Sequence, residues 1–356
     1  MTQDPAINAL IATLKKIPAD QHCLWFADEN SLAALPHLVQ SHPQLSLCTN
    51  RYDIHQRALA LGIKSTFNDA ELNPKQTPPT AQQHVLARVS KEKPLTHHVI
   101  NQAASKFGAM AHLHLAGLKG EGIKTTIKKA ASLFAKNTGS LKNGDAYSGS
   151  FSEPLNSPAL LETQDYTGVR QIGDFEGFRL FSKPGVFGFE KIDDGSVLLL
   201  DSAHQYLQSQ HITPEAILDL GCGYGLLTLG CQNWGARYFA ATDNNAAALI
   251  AMQANADAND CTVDIIPADA GADIDHYFDC VVCNPPFHQG FSVSGDLTDK
   301  FLQNASHKLT SSGYAFFVVN SFIAIEKKAA RYFQQQKTLV NNKRFKVVLL
   351  HKPLKR

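Results

Sequence analysis

Residues 216–225 read Ala-Ile-Leu-Asp-Leu-Gly-Cys-Gly-Tyr-Gly, an apolar run that ends in three alternate glycines. The run Ala216–Leu220 is short and almost continuously apolar, which is typical of a buried parallel strand. The glycines at 221, 223 and 225 allow the backbone to turn sharply and to approach a ligand without a clash from Cβ. A dinucleotide fingerprint would need a further glycine at the position of Leu226. The pattern therefore indicates a strand-turn-helix ligand site of another kind.

Strands and helices are predicted to alternate through the rest of the second half. Strands are predicted at Tyr238–Thr242, Val263–Pro267, Phe278–Cys283, Ala315–Val319, Thr338–Val340 and Phe345–His351. Helices are predicted at Leu226–Trp234, Asn245–Ala258, Leu297–Leu309 and Phe322–Gln335. This alternation predicts the α/β fold class, with a doubly wound, Rossmann-like sheet.

The first half of the chain follows the same plan in a degenerate form. Cys23–Ala27 and Leu45–Thr49 have the composition of strands. Residues 100–136 repeat the order of helix, strand and lysine-rich helix that is found at 302–336, which suggests an internal duplication. Because no glycine precedes Gly62, a glycine turn cannot follow the first strand of this half.

Between the halves, residues 137–164 are rich in Ser, Gly, Asn and Pro and are predicted to be a linker. Short strand-like pieces at 177–182 and 185–190 are expected to lead into the second half. We therefore expect two tandem domains, a degenerate one at 1–165 and one at 166–356 that contains the ligand site.

The composition limits the class of protein. The chain has 356 residues, of which 44% are hydrophobic and 18% charged, and no apolar stretch approaches the ~18 residues of a membrane helix. The N-terminal segment lacks the apolar run of a secretory signal, and seven cysteines favour a reducing compartment over a disulfide framework. We expect a cytoplasmic protein that does not contact a membrane.

Basic residues are concentrated in two stretches. Ten Lys or Arg and no Asp or Glu lie between Lys327 and Arg356, and a second cluster runs from Lys119 to Lys142. Such charge binds nucleic-acid phosphates with release of counterions. It is equally typical of a solvated helix face and an ordinary basic tail, so the charge pattern alone leaves both interpretations open.

Three acidic residues lie at or just after the ends of the first three strands of the second half. Asp219 lies on the strand before the glycines, where a carboxylate can face a cationic ligand group. Asp243 ends the next strand, the usual place of an acid that binds ribose hydroxyls, and Asp269 follows the third strand, where it can meet an adenine amino group. Together they suit an adenosyl ligand with a positively charged amino-acid tail.

The tetrad Asn284-Pro285-Pro286-Phe287 follows the apolar strand at 278–283. Because prolines cannot extend a central ladder, the chain leaves the sheet at the edge where α/β proteins bind ligands. The Asn284 side chain and the Pro285 carbonyl can accept the two N–H donors of an exocyclic amine. Phe287 can stack on a planar base, an interaction of about 1–3 kcal/mol. A purely structural strand-end loop is the alternative interpretation.

No metal site is predicted. Cys280 and Cys283 have the spacing of half a zinc site, but they alternate along an apolar strand and point to opposite faces, and a second pair is absent nearby.

These motifs resemble those of class I S-adenosylmethionine-dependent methyltransferases, with D-L-G-C-G-Y-G at 219–225 as cofactor loop and N-P-P-F at 284–287 as amino-methylating signature. More narrowly, the chain resembles the bacterial ribosomal RNA guanine-N2 methyltransferases of the methyltransferase C type. That resemblance also uses N-P-P-F-H-Q-G at 284–290, G-V-F…D-D-G-S-V-L-L-L at 185–200 and R-F-K-V at 344–347. It covers nearly the full length and implies two tandem class I methyltransferase-like domains, the first degenerate.

Residue by residue, the resemblance implies a site for S-adenosyl-L-methionine beside a guanine pocket. Asn284, Pro285, Pro286 and Phe287 would receive the guanine, and Asn284 would also border the cofactor. The segment at 185–195 would close over the cofactor, although Gly188-Phe189-Glu190-Lys191 departs from the family pattern. The residues implied for the cofactor are Asp219, Gly221, Cys222 and Gly223 at its methionine part, Asp243 and Asn244 at its ribose, Asp269 and Ala270 at its adenine, and Phe187, Asp193 and Gly195 in the closing segment.

The expected activity is methylation of a guanine exocyclic N2 in ribosomal RNA, with 16S RNA or the small ribosomal subunit as partner and a monomer as the acting form. The first domain and the basic C-terminal segment would hold the RNA backbone. The alternatives are the same chemistry on 23S RNA, N-methylation of adenine or of a protein glutamine, and a non-enzymatic RNA-binding or ribosome assembly factor.

Overall fold

A computed structural model of the chain describes residues 4–74, 82–272, 274–286 and 295–354. The chain forms two compact units, Met1–Thr167 and Gly168–Arg356. Each unit has its own main sheet and its own apolar cores. Within the described ranges, no helix combines the length and apolarity needed to cross a bilayer.

The first unit is an eight-stranded sheet with helices. Its strands are β1 (His22–Ala27), β2 (Leu45–Thr49), β3 (Lys64–Phe67), β4 (Gln83–Arg88), β5 (Ala111–Leu118), β6 (Phe134–Asn137), β7 (Leu141–Asn143) and β8 (Ala146–Pro154). Its helices are α1 (Pro5–Leu14), α2 (Leu35–Leu38), α3 (Tyr52–Ala60), α4 (Lys93–Lys106) and α5 (Ile123–Ala130), with 3₁₀ turns at Glu29–Ala34, Lys119–Glu121 and Ala131–Leu133.

The second unit combines a two-stranded hairpin with a seven-stranded sheet. The hairpin is β9 (Arg170–Phe175) and β10 (Phe178–Ser182). The sheet contains β11 (Ala216–Leu220), β12 (Tyr238–Asp243), β13 (Asp264–Pro267), β14 (Phe278–Cys283), β15 (Leu309–Asn320), β16 (Phe333–Asn341) and β17 (Phe345–Pro353). The helices are α6 (Asp194–Ser209), α7 (Leu226–Gly230), α8 (Ala246–Ala258), α9 (Gly295–Lys308) and α10 (Ile325–Ala329), with a 3₁₀ turn at Gln232–Trp234.

The two main sheets have the same strand order. The first runs β3-β2-β1-β4-β5-β8-β6 and the second β13-β12-β11-β14-β15-β17-β16. In both, the first five strands are parallel and the last two run antiparallel to their neighbours. The order reverses between β11 and β14, the position where doubly wound sheets bind ligands at the carboxyl ends of their strands. The predicted fold class, two tandem Rossmann-like domains, is confirmed.

The centre of the second sheet is buried on both faces. Cys280 and Phe316 lie in the core on one face, whereas Cys283 and Phe317 lie in the core on the other. Because both faces are covered, β14 is apolar at every position except Asp279 near its start, which accepts hydrogen bonds from Glu215 N and Ala216 N. The prediction that Cys280 and Cys283 face opposite sides is confirmed.

Three local predictions are wrong. The expected linker at 137–164 contains β7 and β8, and β8 lies between β5 and β6 on the antiparallel side of the first sheet. Its small residues serve packing, since a Cβ on Gly149 would lie 3.1 Å from Ile127 Cγ1. The expected helix at 322–335 is only the short α10 followed by the polar edge strand β16, which pairing with β17 stabilises. The expected strand piece at 185–190 forms turns instead.

A stack of histidines is buried in the first unit. The rings of His84 and His112 lie 4.5 Å apart, and His84 Nδ1 is 3.0 Å from His114 Nε2. The stack ends in polar partners, with His84 Nε2 2.6 Å from Gln21 Oε1 and His114 Nδ1 2.9 Å from Ser150 Oγ. Burial lowers the pKa of His84 to about 3 and that of His114 to about 4, so both are neutral in the folded unit.

We expect the His84→Gln variant to lose less stability than the wild type as the pH falls from 6.5 to 5. His84 titrates near 6.5 in the unfolded chain and far lower in the folded one, so acid favours unfolding below pH 6.5. Removing one such group should make the pH slope of the unfolding free energy shallower by about 1.4 kcal/mol per pH unit. Urea unfolding followed through buried Trp25 measures this, and equal slopes would contradict it.

Candidate functional site

The glycine turn after β11 is closely packed at Gly225 and open at Gly223. Gly221, Gly223 and Gly225 have φ values of +83°, +55° and +92°, which L side chains rarely adopt. A Cβ on Gly225 would lie 2.1 Å from Met252 Sδ, so this glycine allows α8 to pack closely. A Cβ on Gly223 would meet nothing within 4 Å. The open side of the turn is therefore at Gly223.

Asp219, on the strand before this turn, is a buried carboxylate that is only half satisfied. Its Oδ2 accepts hydrogen bonds from Thr228 N at 2.9 Å and Thr228 Oγ1 at 2.7 Å. Its Oδ1 is buried and has no hydrogen-bond partner among the described residues. Burial raises the pKa of Asp219 to about 7. Because such an oxygen is costly to leave unpaired, Asp219 has the chemistry to receive a cationic donor.

Asp243 connects the glycine turn to the end of β12. Its Oδ2 accepts from Gly223 N at 3.0 Å and its Oδ1 from Asn245 N at 2.8 Å. Asn244 lies between them in the chain and is partly exposed. The Cys222 side chain packs under the turn against a small cluster that includes Met252, and burial raises its pKa well above the ordinary value. The Cys222 side chain is thus part of the core, whereas its backbone belongs to the turn.

Asp269 and Ala270 follow β13. The Asp269 carboxylate forms an ion pair with Lys300 through Oδ2. Ala270 is buried and has a φ of +51°, a left-handed conformation that costs an alanine about 1–2 kcal/mol. Its carbonyl accepts from Asn304 Nδ2 at 2.9 Å, which holds this turn against α9. A strained residue maintained by its surroundings is typical of a binding site.

Asn284 follows β14 directly, and its amide orientation is set by two partners. Nδ2 donates to Asp193 Oδ2 at 2.9 Å and to Ser196 Oγ at 3.0 Å. Because an ionised carboxylate can only accept, the amide nitrogen must face Asp193 and Oδ1 must point away from it. Pro285 is buried and Pro286 partly exposed. The predicted stacking residue Phe287 lies outside the described residues.

The segment before α6 reaches three parts of the site. Asp193 caps α6 by accepting from Ser196 N at 2.7 Å, and its own N–H donates to Tyr224 Oη at 3.3 Å. A Cβ on Gly195 would lie 3.1 Å from Asp193 Oδ2, so a side chain there would crowd the carboxylate that holds Asn284. Phe187, by contrast, is 81% exposed. The structure thus links Asp193 and Gly195 to Asn284, and leaves the Phe187 ring in solvent.

Three contributing residues were missed by the sequence reasoning. They are Ser196, which holds Asn284; Tyr224, whose hydroxyl bonds to the backbone at Asp193 and Lys191; and Asn245, whose Nδ2 donates to Gly185 O at 2.8 Å. Ser196 and Asn245 had local signals, because Asp193 stands three residues before Ser196 ahead of an apolar run, which is a helix start, and Asn245 begins the predicted helix at 245–258.

The second unit therefore collects acceptors at one edge of its sheet. The switch point between β11 and β14 places the glycine turn beside Asn284, with carboxylates at the ends of β11 and β12 and after β13. No group of three His, Cys, Asp or Glu with metal-binding geometry occurs in the part of the chain that the structure describes. The arrangement can bind a ligand with a cationic group and present an oriented amide oxygen beside it.

The corresponding edge of the first unit is occupied by a cluster of charged side chains that form ion pairs. Asp4 caps α1 as Asp193 caps α6. The Asp4 carboxylate also accepts a hydrogen bond, 2.7 Å long, from Nε of Arg88, the last residue of β4. Arg88 also pairs with Glu121 at 3.0 Å and Asp28 at 3.8 Å. Asp28 follows β1 as Gly221 follows β11. The first unit thus retains a contact between its helix-capping aspartate and the end of β4, equivalent to the contact of Asp193 with Asn284 after β14. In place of the glycine turn it has a buried cluster of ion pairs.

Comparisons with known proteins agree with this geometry. Residues 177–349 match the family model "Methyltransferase small domain". Ribosomal RNA small subunit methyltransferase C of Pseudoalteromonas translucida is 29% identical over 269 residues, which cover 74% of this chain and 76% of that protein. The Shewanella pealeana protein of the same name is 27% identical over 74% of this chain and 75% of its own.

A solved structure extends the match to the whole fold. The T. thermophilus 16S rRNA N2 methyltransferase, in complex with AdoMet and guanosine, superposes with a TM-score of 0.82 at 22% identity and covers 98% of this chain and 92% of its own. This likeness shows that both units share that protein's fold. Together with the family model over the second unit and the curated relatives, it makes the chain similar over most of its length to the ribosomal RNA small subunit methyltransferase C proteins.

Proposed function

We propose that this protein transfers a methyl group from S-adenosyl-L-methionine to the exocyclic N2 of a guanine in ribosomal RNA, and that the RNA is the 16S RNA of the small subunit. The observation that carries the proposal is the Asn284 amide, which Asp193 and Ser196 orient so that its oxygen remains to accept an N–H. The similarity to curated relatives named ribosomal RNA small subunit methyltransferase C supports the same substrate.

The residues present fit the cofactor. The unpaired, buried Asp219 Oδ1 suits the ammonium group of a methionine tail, and the open side of Gly223 gives that tail access to the backbone. We assign Gly221 and Cys222 to the same part of the cofactor, Asp243 and Asn244 to its ribose, and Asp269 and Ala270 to its adenine. Because Lys300 uses Asp269 Oδ2, the adenine contact falls to Oδ1 of that carboxylate. The exposed Phe187 is assigned to the segment that closes over the cofactor.

The chain's own residues position and polarise the target amine. Asn284 Oδ1 and the Pro285 carbonyl accept hydrogen bonds from the two N–H groups of this amine. These hydrogen bonds oppose delocalisation of the nitrogen lone pair into the guanine ring. Pro286 stiffens the loop, and we assign Phe287 to stacking on the base. When bound, the cofactor supplies an electrophilic methyl group on a sulfonium sulfur. Positioning supplies most of the rate, so a strong base is not needed before the methylated nitrogen releases its proton.

The basic C-terminal segment is folded into the second unit. It is not a tail, because β16 and β17 form part of the second sheet and α10 buries Ile325 and Ala329 in the core beside it. Of the eight cations of this segment that the structure describes, four are engaged in ion pairs: Lys328 and Arg331 with Asp299, Arg344 with Asp194, and Lys346 with Glu326. RNA contacts are therefore assigned to the first unit and to those exposed cations of this segment that lie at the Asn284 edge of the sheet, where an exposed pair such as Arg344 with Asp194 can give way to a phosphate. Since every residue assigned to the cofactor and the guanine belongs to the second unit, a monomer suffices for the chemistry, and we place this monomer in the cytoplasm with its RNA substrate.

We expect Asp219→Asn to weaken binding of S-adenosylhomocysteine, which has the same amino-acid tail, by about 10- to 100-fold. The asparagine can still accept from Thr228, but it no longer supplies the charge that strengthens a hydrogen bond to an ammonium group. In the wild type, affinity should fall as the pH drops from 7.5 to 6, because the Asp219 pKa of about 7 leaves the carboxyl increasingly protonated and uncharged. Calorimetric titration at both pH values measures these effects.

Adenosine is the matched control ligand for this prediction, because it lacks the amino-acid tail. Its affinity should be the same for the wild type and the Asp219→Asn variant. A parallel loss for adenosine would indicate that the variant has disturbed the glycine turn rather than the ammonium contact. Retention of the pH dependence in the variant would assign that dependence to another group.

Methyl transfer from labelled cofactor to purified ribosomal subunits and to naked ribosomal RNA, with nucleoside analysis, tests the proposed function. N2-methylguanosine confined to 16S RNA is the expected product, and comparing the two substrates shows whether the assembled subunit is required. Label in 23S RNA, in adenosine or in protein would retain the chemistry and replace the substrate. Absence of label despite measurable cofactor binding would favour a non-enzymatic RNA-binding or assembly factor.

A further inference from the structure

The loop after β15 leaves a large aromatic side chain in solvent. Phe322 is 80% exposed, although Ile325 close by is fully buried and Ile323 packs against the core. The loop itself is well anchored, with Ile323 N donating to Asn320 O at 3.0 Å and Ser321 N to Arg344 O at 2.9 Å. An anchored backbone that presents an unburied ring suits a contact surface better than a packing role.

A basic turn between β16 and β17 is held against this loop. Ser321 Oγ donates to Lys343 O at 2.6 Å. The turn is shaped by two asparagines, since Asn341 Oδ1 accepts from Lys343 N at 3.0 Å, and Asn342 Oδ1 accepts from Arg344 N at 3.1 Å. The Lys343 backbone has a φ of +70°. The aromatic loop and the basic turn are therefore one built surface, which we call the 322/343 platform, made of Phe322, Lys343 and Arg344.

The sheet places this platform at the edge that carries Asn284. In the parallel pair β14–β15, Cys283 lies opposite Phe317, so β15 continues three residues, about 10 Å, past that level to Asn320. Phe345, the first residue of the antiparallel β17, lies opposite Asn320. The basic turn and Phe322 thus lie beyond the same strand ends.

A chain of direct contacts connects the platform to the target-binding amide. Asn284 bonds to Asp193, and the next residue, Asp194, pairs with Arg344 at 2.7 Å. Both partners of that pair are about 64% exposed, so the pair contributes little to stability and can give way to a stronger anion. Lys343 has no ion pair with any described residue. An aromatic face beside two available cations is the chemistry that binds single-stranded nucleic acid.

We infer that the 322/343 platform binds the nucleotides next to the methylated guanine, with Phe322 stacking on a neighbouring base and Lys343 and Arg344 contacting the adjoining phosphates. The inference rests on the proposed function, since it assigns to that site a second contact with the same RNA. A base extruded from its stack leaves its neighbours unstacked. An exposed ring beyond the same strand ends as Asn284 replaces part of the lost stacking.

The test measures binding and transfer separately. A five-nucleotide single-stranded RNA with a central guanosine and a terminal fluorophore is titrated by anisotropy in saturating S-adenosylhomocysteine. Phe322→Ala should weaken binding by about 5- to 100-fold, which corresponds to about 1–3 kcal/mol of stacking, and Phe322→Trp should restore it. Lys343→Ala should lower the dependence of log K on log salt by about 0.7, whereas Phe322→Ala leaves this slope unchanged.

Matched controls lie at the opposite edge of the sheet. Tyr277, 58% exposed just before β14, and Lys352, exposed near the end of β17, should each tolerate replacement by Ala without an effect on oligonucleotide binding. All variants should bind S-adenosylhomocysteine like the wild type. In transfer assays, Phe322→Ala should raise KM for the RNA far more than it lowers kcat.

The outcomes separate the two proposals. If the wild type forms N2-methylguanosine and the Phe322→Ala variant has the same oligonucleotide affinity and KM as the wild type, the RNA-binding role of the platform is overturned and the proposed function stands. If the wild type transfers no methyl group to RNA but Phe322→Ala and Lys343→Ala weaken oligonucleotide binding as stated, the platform stands and the proposed function fails. Failure of the wild type to bind the oligonucleotide, or an equal loss with Tyr277→Ala, overturns the platform.

Discussion

Replacing Asn284 by Ala should lower methyl transfer to RNA by at least about 100-fold, while the affinity for S-adenosylhomocysteine changes by less than about threefold. Removing one oriented polar group from a reacting centre typically costs 10²–10³ in rate. The effect should fall on kcat, because the amide acts when the amine becomes nucleophilic. Single-turnover transfer, together with calorimetric titration of S-adenosylhomocysteine, measures both quantities.

The surroundings of Asn284 supply graded controls for this prediction. Ser196→Ala removes one of the two bonds to Nδ2 and leaves that to Asp193, so we expect a loss of only a few-fold. Asp193→Ala removes the group that dictates the amide orientation as well as the cap of α6, so it should lose activity and some thermal stability together. Equal loss of cofactor binding and transfer in Asn284→Ala would count against the assigned role of the amide.

The site was predictable from the sequence where its chemistry lies within short segments. The glycines at 221–225 and the tetrad at 284–287 each carry their signal in consecutive residues, and the parallel order of β11 and β14 then brings them together. The orientation of the Asn284 amide was not predictable. It depends on Asp193 and Ser196, which lie about 90 residues away in the chain and approach only through the packing of α6.

The difference between local and long-range determinants also explains which secondary-structure predictions were wrong. Strands buried on both faces, such as β11 and β14, were predicted with the correct bounds because their composition is dictated by burial. The strand β8 was missed and β16 was predicted only at Thr338–Val340, since half or more of their side chains are polar or small and their pairing with β5 and β17 determines their conformation. Propensity is a weak guide for such segments at the antiparallel side of a sheet.

Replacing Arg88 by Ala should destabilise the first unit by about 3–5 kcal/mol, the range for removing one partner from a buried ion pair. The guanidinium is almost fully buried and serves Asp4, Asp28 and Glu121 together. Burial already raises the pKa of Asp28, which shows how little solvent compensates these carboxylates. Without Arg88, three acids would lose their common cation at an edge that the second unit leaves open for its ligand.

Trp25 and Trp234 allow this loss to be assigned to one unit. They are the chain's two tryptophans, one in each unit, so in a Trp234→Phe background the fluorescence reports the first unit alone. Urea unfolding should then show the lowered midpoint for Arg88→Ala and a smaller loss for Arg88→Lys, which keeps the charge but not the planar fork. Lys136→Ala, which breaks the exposed pair with Glu153 in the same unit, should cost about 0.5 kcal/mol or less.

The pH dependence of this difference identifies its cause. In Arg88→Ala, the carboxyl groups should have pKa values above those in the unfolded chain, so the folded variant binds protons more readily as the pH falls. The destabilisation relative to the wild type at the same pH should therefore shrink from pH 8 to pH 5.5, while the histidine contribution cancels in the comparison. A difference that is constant with pH would attribute the loss to packing of the arginine side chain instead of its charge.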